Sequence, residues 1–335
     1  MKVKKNVISI LFLCTLVVLI LSCQSKDPSR SDGRLQVIAT IFPVYDFARE
    51  IGGDKVDVTM LLPPATDAHH YELKPEDILK VSRADIFLFT NFEMEHWAYK
   101  IINTADESAG LLAVETGKSA MLLPLSDHFA HGKPHRHEED ETSASDHEVE
   151  NEAQKDSASR FDPHIWLDPD NAQIMIDNIT EAFILKDQKN SDTYKMNAKN
   201  YKHRLALLDA NFRSGLSVCK TRTILHAGHW AFAYLAKKYH LNYIAAYSAS
   251  AQSEPSPQVI VSMIEKIKSQ KLPYIYYEDL VAPRLAQTLS KETGAKLLKL
   301  SNGHDISKAD IAGGETFISL MEKNLDQLKK GMQCQ

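Results

Sequence analysis

The chain has 335 residues, 44% of them hydrophobic and 25% charged, with 39 basic side chains against 44 acidic ones and so a formal charge of −5. Lys2, Lys4 and Lys5 precede an apolar run from Val7 to Leu21, the basic start and length of a removable export signal rather than of a spanning helix. Removing residues 1–22 deletes those three lysines and takes −5 to −8, a surface that excludes nucleic acid as a partner, and no later stretch is apolar enough to cross a bilayer.

Ser22 immediately before Cys23 resembles a bacterial lipoprotein box. Cleavage is then expected ahead of Cys23, with its thiol lipidated and residues 23–34 forming a flexible tether; ordinary secretion with an unmodified Cys23 is the alternative. Cys14 leaves with the signal, so Cys219 and Cys334 remain. In an oxidising compartment that pair suggests one disulfide, tying the end of the last helix to the start of the second half, with two unpaired buried thiols as the alternative.

Leu35 to Thr40 has a short apolar strand pattern, and Pro43 to Ile51 reads as an amphipathic helix stopped by Gly52-Gly53. Val56 to Leu62 alternates and then runs apolar, as a strand entering a buried parallel sheet does. The polar loop Ala65 to Glu72 follows, then a helix over Pro75 to Ser82, a strand over Asp85 to Thr90 and continued alternation through Glu95 to Asn103. A right-handed parallel sheet is the default for such a pattern, so residues 35–170 are read as a first α/β lobe.

Between Ser126 and Arg160 the pattern stops. His128, His131, His135, His137 and His147 are interleaved with acidic residues and scarcely anything apolar, which describes a disordered insertion. Such a tract can hold borderline metals weakly and reversibly; a purely solvated loop is the alternative. The next ten residues, Phe161 to Asp170, set His164 between Asp162-Pro163 and Asp168-Pro169. Each proline biases the residue before it away from the α region, so the histidine is held in an extended segment. Asp168 as N-cap, Pro169 at the first helical position and Asp170 in the first turn predict a helix directly afterwards.

That helix is expected over Asn171 to Ile184, and a longer one over Ser191 to Leu216. In the second, Tyr194, Ala198, Tyr201, Leu205, Leu208 and Phe212 recur every three or four residues, so this face packs while Lys195, Lys199, Lys202 and Arg204 stay wet. Such a helix is roughly 35–40 Å long and stiff enough to join two lobes, so residues 171–216 are read as the connecting helical segment. Residues 217–335 then repeat the alternation. Strands are expected over Thr221 to Leu225, Tyr243 to Tyr247, Tyr274 to Tyr277 and Lys296 to Leu300, and helices over Trp230 to Tyr239, Gln258 to Ser269, Pro283 to Thr293 and Glu315 to Lys330.

Histidines punctuate this plan at one topological position. His69, His164, the pair His226 and His229, and His304 each follow a strand or extended segment and precede a helix. In parallel sheets those loops share the carboxyl edge where ligands bind, and two lobes facing each other would bring them to one cleft. Neutral imidazoles converging there, with a carboxylate at most, make a closed tetrahedral Zn²⁺ site.

Four stretches carry a family resemblance: Leu62-Pro63-Pro64-Ala65-Thr66-Asp67-Ala68-His69, Asp162 to Pro169, His229 to Tyr239, and Glu254-Pro255-Ser256-Pro257. Together they resemble the zinc and manganese solute-binding lipoproteins of ABC transporters, over nearly all of Leu35 to Cys334. The resemblance implies two parallel-sheet α/β lobes joined by a long rigid helix, a metal at their interface, and delivery to a membrane permease by a monomeric, lipid-anchored, extracytoplasmic protein. It also implies the ligands. His69 fits the first position, where the family reads Asp-Pro-His and Ala68 replaces the proline, so that His70 is a neighbour. His164 fits the second, and His229 the third in the register set by Tyr234-Leu235-Ala236, which leaves His226 upstream. A histidine at the third position, where manganese-type members carry a carboxylate, favours zinc. His304 is expected at the fourth, with Asp305 as substitute and Glu278 as a further candidate. Asp162 and Asp168 stand near enough in sequence to accept an imidazole N–H.

A secreted zinc hydrolase is the competing class. It would leave the fourth metal position to water, and the sequence contains no His-Glu-x-x-His, Gly-x-Ser-x-Gly or phosphate-loop motif.

Overall fold

Strands β1 (Leu35–Ala39), β2 (Val56–Met60), β3 (Ile86–Phe89) and β4 (Leu112–Glu115) form a parallel sheet in the order β2-β1-β3-β4. A second parallel sheet of β5 (Thr223–His226), β6 (Asn242–Ala245), β7 (Tyr274–Tyr277) and β8 (Lys296–Lys299) repeats that order as β6-β5-β7-β8. The coordinates are a computed structural model that describes residues 33–104, 110–125, 161–249, 254–278 and 283–335. The expected signal, nearly all of the tether and the histidine- and acid-rich segment 126–160 lie outside the described residues. Among the described residues no helix is long and apolar enough to cross a membrane.

Helices α1 (Phe42–Gly52), α2 (Pro75–Ser82) and α3 (Ala98–Thr104) alternate with the strands of the first sheet, and α6 (Ala233–Lys238), α7 (Pro257–Ser269) and α8 (Pro283–Thr293) with those of the second; α9 (Lys308–Ala312) and α10 (Phe317–Met332) close the chain, α10 packing on β7 and β8. Between the halves run α4 (Pro169–Lys186) and the 25-residue α5 (Ser191–Gly215). The buried residues of α5 are Tyr194, Ala198, Tyr201, Leu205, Leu208 and Phe212, the six positions of the expected stripe. With this face α5 packs on α1, α4 and α10, and so touches elements of both halves. Lys202 and Arg204 on its wet side pair with Asp177 and Glu50.

Several expectations need correction. The segment Val56 to Leu62 forms an edge strand ending at Met60, not a buried one, because its polar residues Asp57 and Thr59 need a wet side. The helix expected from Trp230 starts only at Ala233, since the Trp230 and Ala231 N–H groups are taken by Ser248 O and Tyr243 Oη. His226 is the last residue of β5 rather than a loop residue, paired in register with Ala245 and Tyr276. No strand leads into His164; Phe161 makes one isolated bridge to Pro124, and a 3₁₀ turn over Ile165–Leu167 intervenes before α4. Strand β4 and helix α9 were not foreseen. Cys219 and Cys334 are joined by a disulfide.

Hydrogen bonds also tie the halves together. Trp166 Nε1 donates to Asn302 O at 2.8 Å, Ala65 N to Ile306 O at 2.9 Å, Tyr234 Oη to Asp162 O at 2.8 Å, and Phe317 N to Asp46 Oδ2 at 2.9 Å. These bonds span the cleft at which the carboxyl edges of both sheets meet.

Candidate metal centre

The loop after β2 carries His69. Asp67 Oδ1 accepts the His69 backbone N–H at 2.9 Å, and Trp97 Nε1 donates to Ala68 O at 2.9 Å, so the loop is fixed on either side of the Ala68–His69 peptide. Trp97 and Ala68 are both buried. His70 turns outward, with Nδ1 2.6 Å from Asp67 Oδ2.

His164 is completely buried. Asp162 Oδ1 accepts both its backbone N–H (2.9 Å) and its Nδ1–H (2.7 Å), an arrangement that the extended Asp162-Pro163 step makes possible. Asn91 Nδ2 donates to Pro163 O at 3.3 Å and steadies the same peptide. Asp168, the other carboxylate expected to hold an imidazole, does something else. It caps α4 by accepting the Asp170 N–H at 2.8 Å and pairs with Lys238 at 3.1 Å.

His229 follows β5. Glu278 Oε1, at the carboxyl end of β7, accepts its backbone N–H at 2.9 Å and its Nδ1–H at 2.6 Å, repeating the Asp162–His164 arrangement. The His229 carbonyl accepts from Tyr243 Oη (3.0 Å) and from His226 Nδ1 (3.2 Å). Gly228 is required here, because a Cβ would stand 2.5 Å from both Glu278 Oε1 and His226 Cε1. His304 sits after β8 behind Gly303, whose φ of +86° favours glycine. Asn302 Oδ1 accepts the His304 N–H at 3.0 Å, and Asp305 Oδ1 lies 3.1 Å from His304 Nδ1.

The four imidazoles His69, His164, His229 and His304 therefore converge, with one nitrogen of each within 4.8 Å of the others. His164 Nε2 is 3.3 Å from His69 Nε2 and 3.2 Å from His229 Nε2. Tetrahedral Zn–N bonds of about 2.0–2.1 Å put neighbouring nitrogens roughly 3.3–3.4 Å apart. The tautomers sharpen the fit. His164 and His229 each set Nδ1 on a carboxylate, so both Nε2 atoms face the centre. His164 Nε2 offers a lone pair there, and a bound metal ion takes the place of the proton that His229 otherwise carries. Both ring nitrogens of His304 are buried, and neither makes a hydrogen bond of good geometry even though Asp305 Oδ1 stands beside Nδ1.

Protonation follows from these surroundings. Burial, then the neighbouring rings, hold His69 and His164 well below the ordinary imidazole range, in the neutral form that binds metals. Burial also pushes His226 down to about 4. It would lower His229 too, but the Glu278 carboxylate overrides it and raises that ring to about 9. Burial lifts Asp162 to about 7 against the pull of the His164 N–H. Glu278 stays below its usual range despite burial, held there by His229.

The four histidines expected as ligands thus come together, while His226 supports the loop from behind and His70 faces outward. Glu278 and Asp305 are drawn in as outer partners of His229 and His304. Asn91, Trp97, Tyr243 and Asn302 went unnoticed in the sequence, where isolated residues of these types carry no signal; their role exists only once distant loops are neighbours.

Fold and cluster together describe a two-lobed α/β protein with four converging imidazoles between its sheets, a group that could hold a metal ion. Residues 37–331 match the sequence model of the family described as "ZnuA: Zinc-uptake complex component A periplasmic", and the chain belongs to that family. It is 32% identical over 323 residues to the zinc-binding lipoprotein AdcA of Streptococcus pneumoniae, covering 96% of this chain but only 60% of the length of AdcA. It is 30% identical over 314 residues to the high-affinity zinc uptake system protein ZnuA of Bacillus subtilis, covering 93% of this chain and 91% of that protein. The crystal structure of the Zn(II)-bound ZnuA-like domain of S. pneumoniae AdcA superposes with a TM-score of 0.71 at 30% identity, covering 90% of this chain and 99% of that domain.

Proposed function

We propose that this protein is the extracytoplasmic receptor of an ABC-type importer, which captures Zn²⁺ through His69, His164, His229 and His304 and delivers it to a membrane permease. One observation carries the reading: four imidazoles converge, with Nε2 atoms facing each other at the edge length of a tetrahedral zinc site. An all-imidazole set suits zinc better than manganese, which prefers oxygen ligands. The zinc-binding names of the AdcA and ZnuA relatives support the same cargo. A fourth protein ligand leaves no position for an activated water, which favours a carrier over a zinc hydrolase. Residues 1–22 act as the export signal, Cys23 carries the lipid, residues 23–34 tether a monomer to the membrane, and the segment 126–160 holds additional metal weakly.

Equilibrium competition for Zn²⁺ by the folded, signal-free protein tests the reading. His164→Ala abolishes tight binding; an unchanged affinity would falsify the site. Deleting residues 126–159 removes only weak extra metal, and a fall in tight stoichiometry would show that this segment supplies a ligand.

A further inference from the structure

Two carboxylates stand just behind the imidazoles of the centre, Glu278 on His229 Nδ1 and Asp305 beside His304 Nδ1. Ligand atoms of His229, Glu278 and Asp305 lie within 4.8 Å of one another, so these three groups could themselves gather round an ion. A divalent cation attracts a carboxylate more strongly than a neutral ring. An all-imidazole site therefore needs something that holds Glu278 and Asp305 back.

Asn302 is placed to do this. It is completely buried. Its Nδ2 donates to Glu278 Oε2 at 2.8 Å and to Asp305 Oδ2 at 2.7 Å. Its Oδ1 accepts the backbone N–H groups of His304 and Asp305, both at 3.0 Å. Its carbonyl accepts Trp166 Nε1, two residues from His164, at 2.8 Å. A primary amide offers two donors on one atom and two acceptor sites on the other, and every one of them is engaged. Aspartate, serine or leucine could not make the same four side-chain bonds.

We infer that Asn302 is a specificity-determining residue: by engaging one oxygen of Glu278 and one of Asp305, it keeps both carboxylates off the ion and reserves the centre for imidazole. This rests on the zinc-site reading above and adds a cause of its selectivity. Nitrogen donors favour zinc and cobalt over manganese, whereas a carboxylate that swings inward makes the site more hospitable to manganese.

The test is Asn302→Asp in the full signal-free protein. This variant keeps an oxygen for the two backbone N–H groups and nearly the same volume, but turns the donor toward Glu278 and Asp305 into a repelling oxygen. Outer partners of metal ligands are worth about 10–100-fold in affinity, so the preference for Zn²⁺ over Mn²⁺, measured by competition, falls by that factor. The visible spectrum of the Co²⁺-loaded protein changes as an oxygen joins the nitrogen ligands, a readout that mere loosening of the fold would not produce. Asn302→Asp with Asp305→Asn keeps the wild-type charge and restores one donor–acceptor pair with reversed polarity. It shows the same changes in smaller measure and replaces the single variant if that one does not fold. An unchanged Co²⁺ spectrum and an unchanged metal preference in these variants overturn the role of Asn302. If His164→Ala also retains tight zinc, the site reading fails as well, so the two failures are told apart.

Discussion

Replacing Asp46 by asparagine should flatten the acid side of the stability profile. Asp46 lies on α1, wholly buried, where its Oδ2 accepts the Phe317 N–H of α10 at 2.9 Å and the Tyr201 hydroxyl of α5 at 3.1 Å, while Oδ1 has no hydrogen-bond partner. Burial raises its pKa from 3.8 to about 6 against the Phe317 and Tyr201 bonds; Glu50 adds to the rise and Arg49 opposes it. Arg204 of α5, the other nearby cation, is paired with Glu50. A shift of about 2 units corresponds to about 3 kcal/mol. The folded state holds this proton more tightly than the unfolded one, so the contribution is complete below about pH 4 and is lost as pH rises through about 6. Asparagine has no proton to lose, and its oxygen can accept the same two bonds. Relative to wild type, Asp46→Asn should therefore gain about 3 kcal/mol between pH 4 and pH 7. Urea unfolding at a series of pH values, with zinc chelated throughout and the disulfide intact, measures the difference. Parallel stability curves for the two proteins would refute the argument.

Three further outcomes follow from the structure. The Cys219–Cys334 bond closes a loop of 115 residues, and Cys219→Ser with Cys334→Ser should lose up to about 5 kcal/mol in denaturant unfolding; zinc affinity should not change, because Cys219 lies beyond the amino end of β5 and the imidazoles at the opposite edge. Trp97→Phe removes the donor to Ala68 O, a bond of about 1 kcal/mol, and stopped-flow chelation should show zinc leaving several-fold faster while the melting temperature changes little. Gly228→Ala forces a Cβ to 2.5 Å from Glu278 Oε1 and dislodges the acceptor of His229 Nδ1, so competition titration should give zinc binding weakened about 10–100-fold.

Local periodicity made much of this molecule readable. The stripe on α5 was legible because each of its six apolar residues falls on one side of a 3.6-residue turn. Asp168 and Pro169 announced the start of α4 for equally local reasons. Asp168 also shows where such reasoning stops: an aspartate four positions from a histidine can orient it or cap a helix, and here the nearby Asp170 N–H and Lys238 both engage its Oδ1. Strand β4 and helix α9 are four and five residues long, too short to display a period. Topology set five histidines at candidate positions, His226 among them, and the family resemblance narrowed them to four. Their carboxylate partners share no such position, since Asp162 is two residues from His164 but Glu278 is 49 from His229.

The bracing of the four imidazoles is unequal, and this bears on how an ion gets in. Carboxylates stand behind the rings of His164, His229 and His304. Asp67 takes the backbone N–H of His69 rather than its ring, and His69 is the one residue of the four that is not fully buried. Its loop between β2 and α2 contains no helix or strand, and is held across the cleft by Ala65 N on Ile306 O and from below by Trp97 on Ala68 O. Separating the lobes would break the bonds from Trp166 to Asn302, from Tyr234 to Asp162 and from Phe317 to Asp46, besides uncovering the buried face of α5. Lifting the His69 loop breaks the two bonds at Ala65 and Ala68 and leaves α5 covered. We expect this centre to open by a movement of the His69 loop against the other three imidazoles, with the lobes staying where α5 holds them.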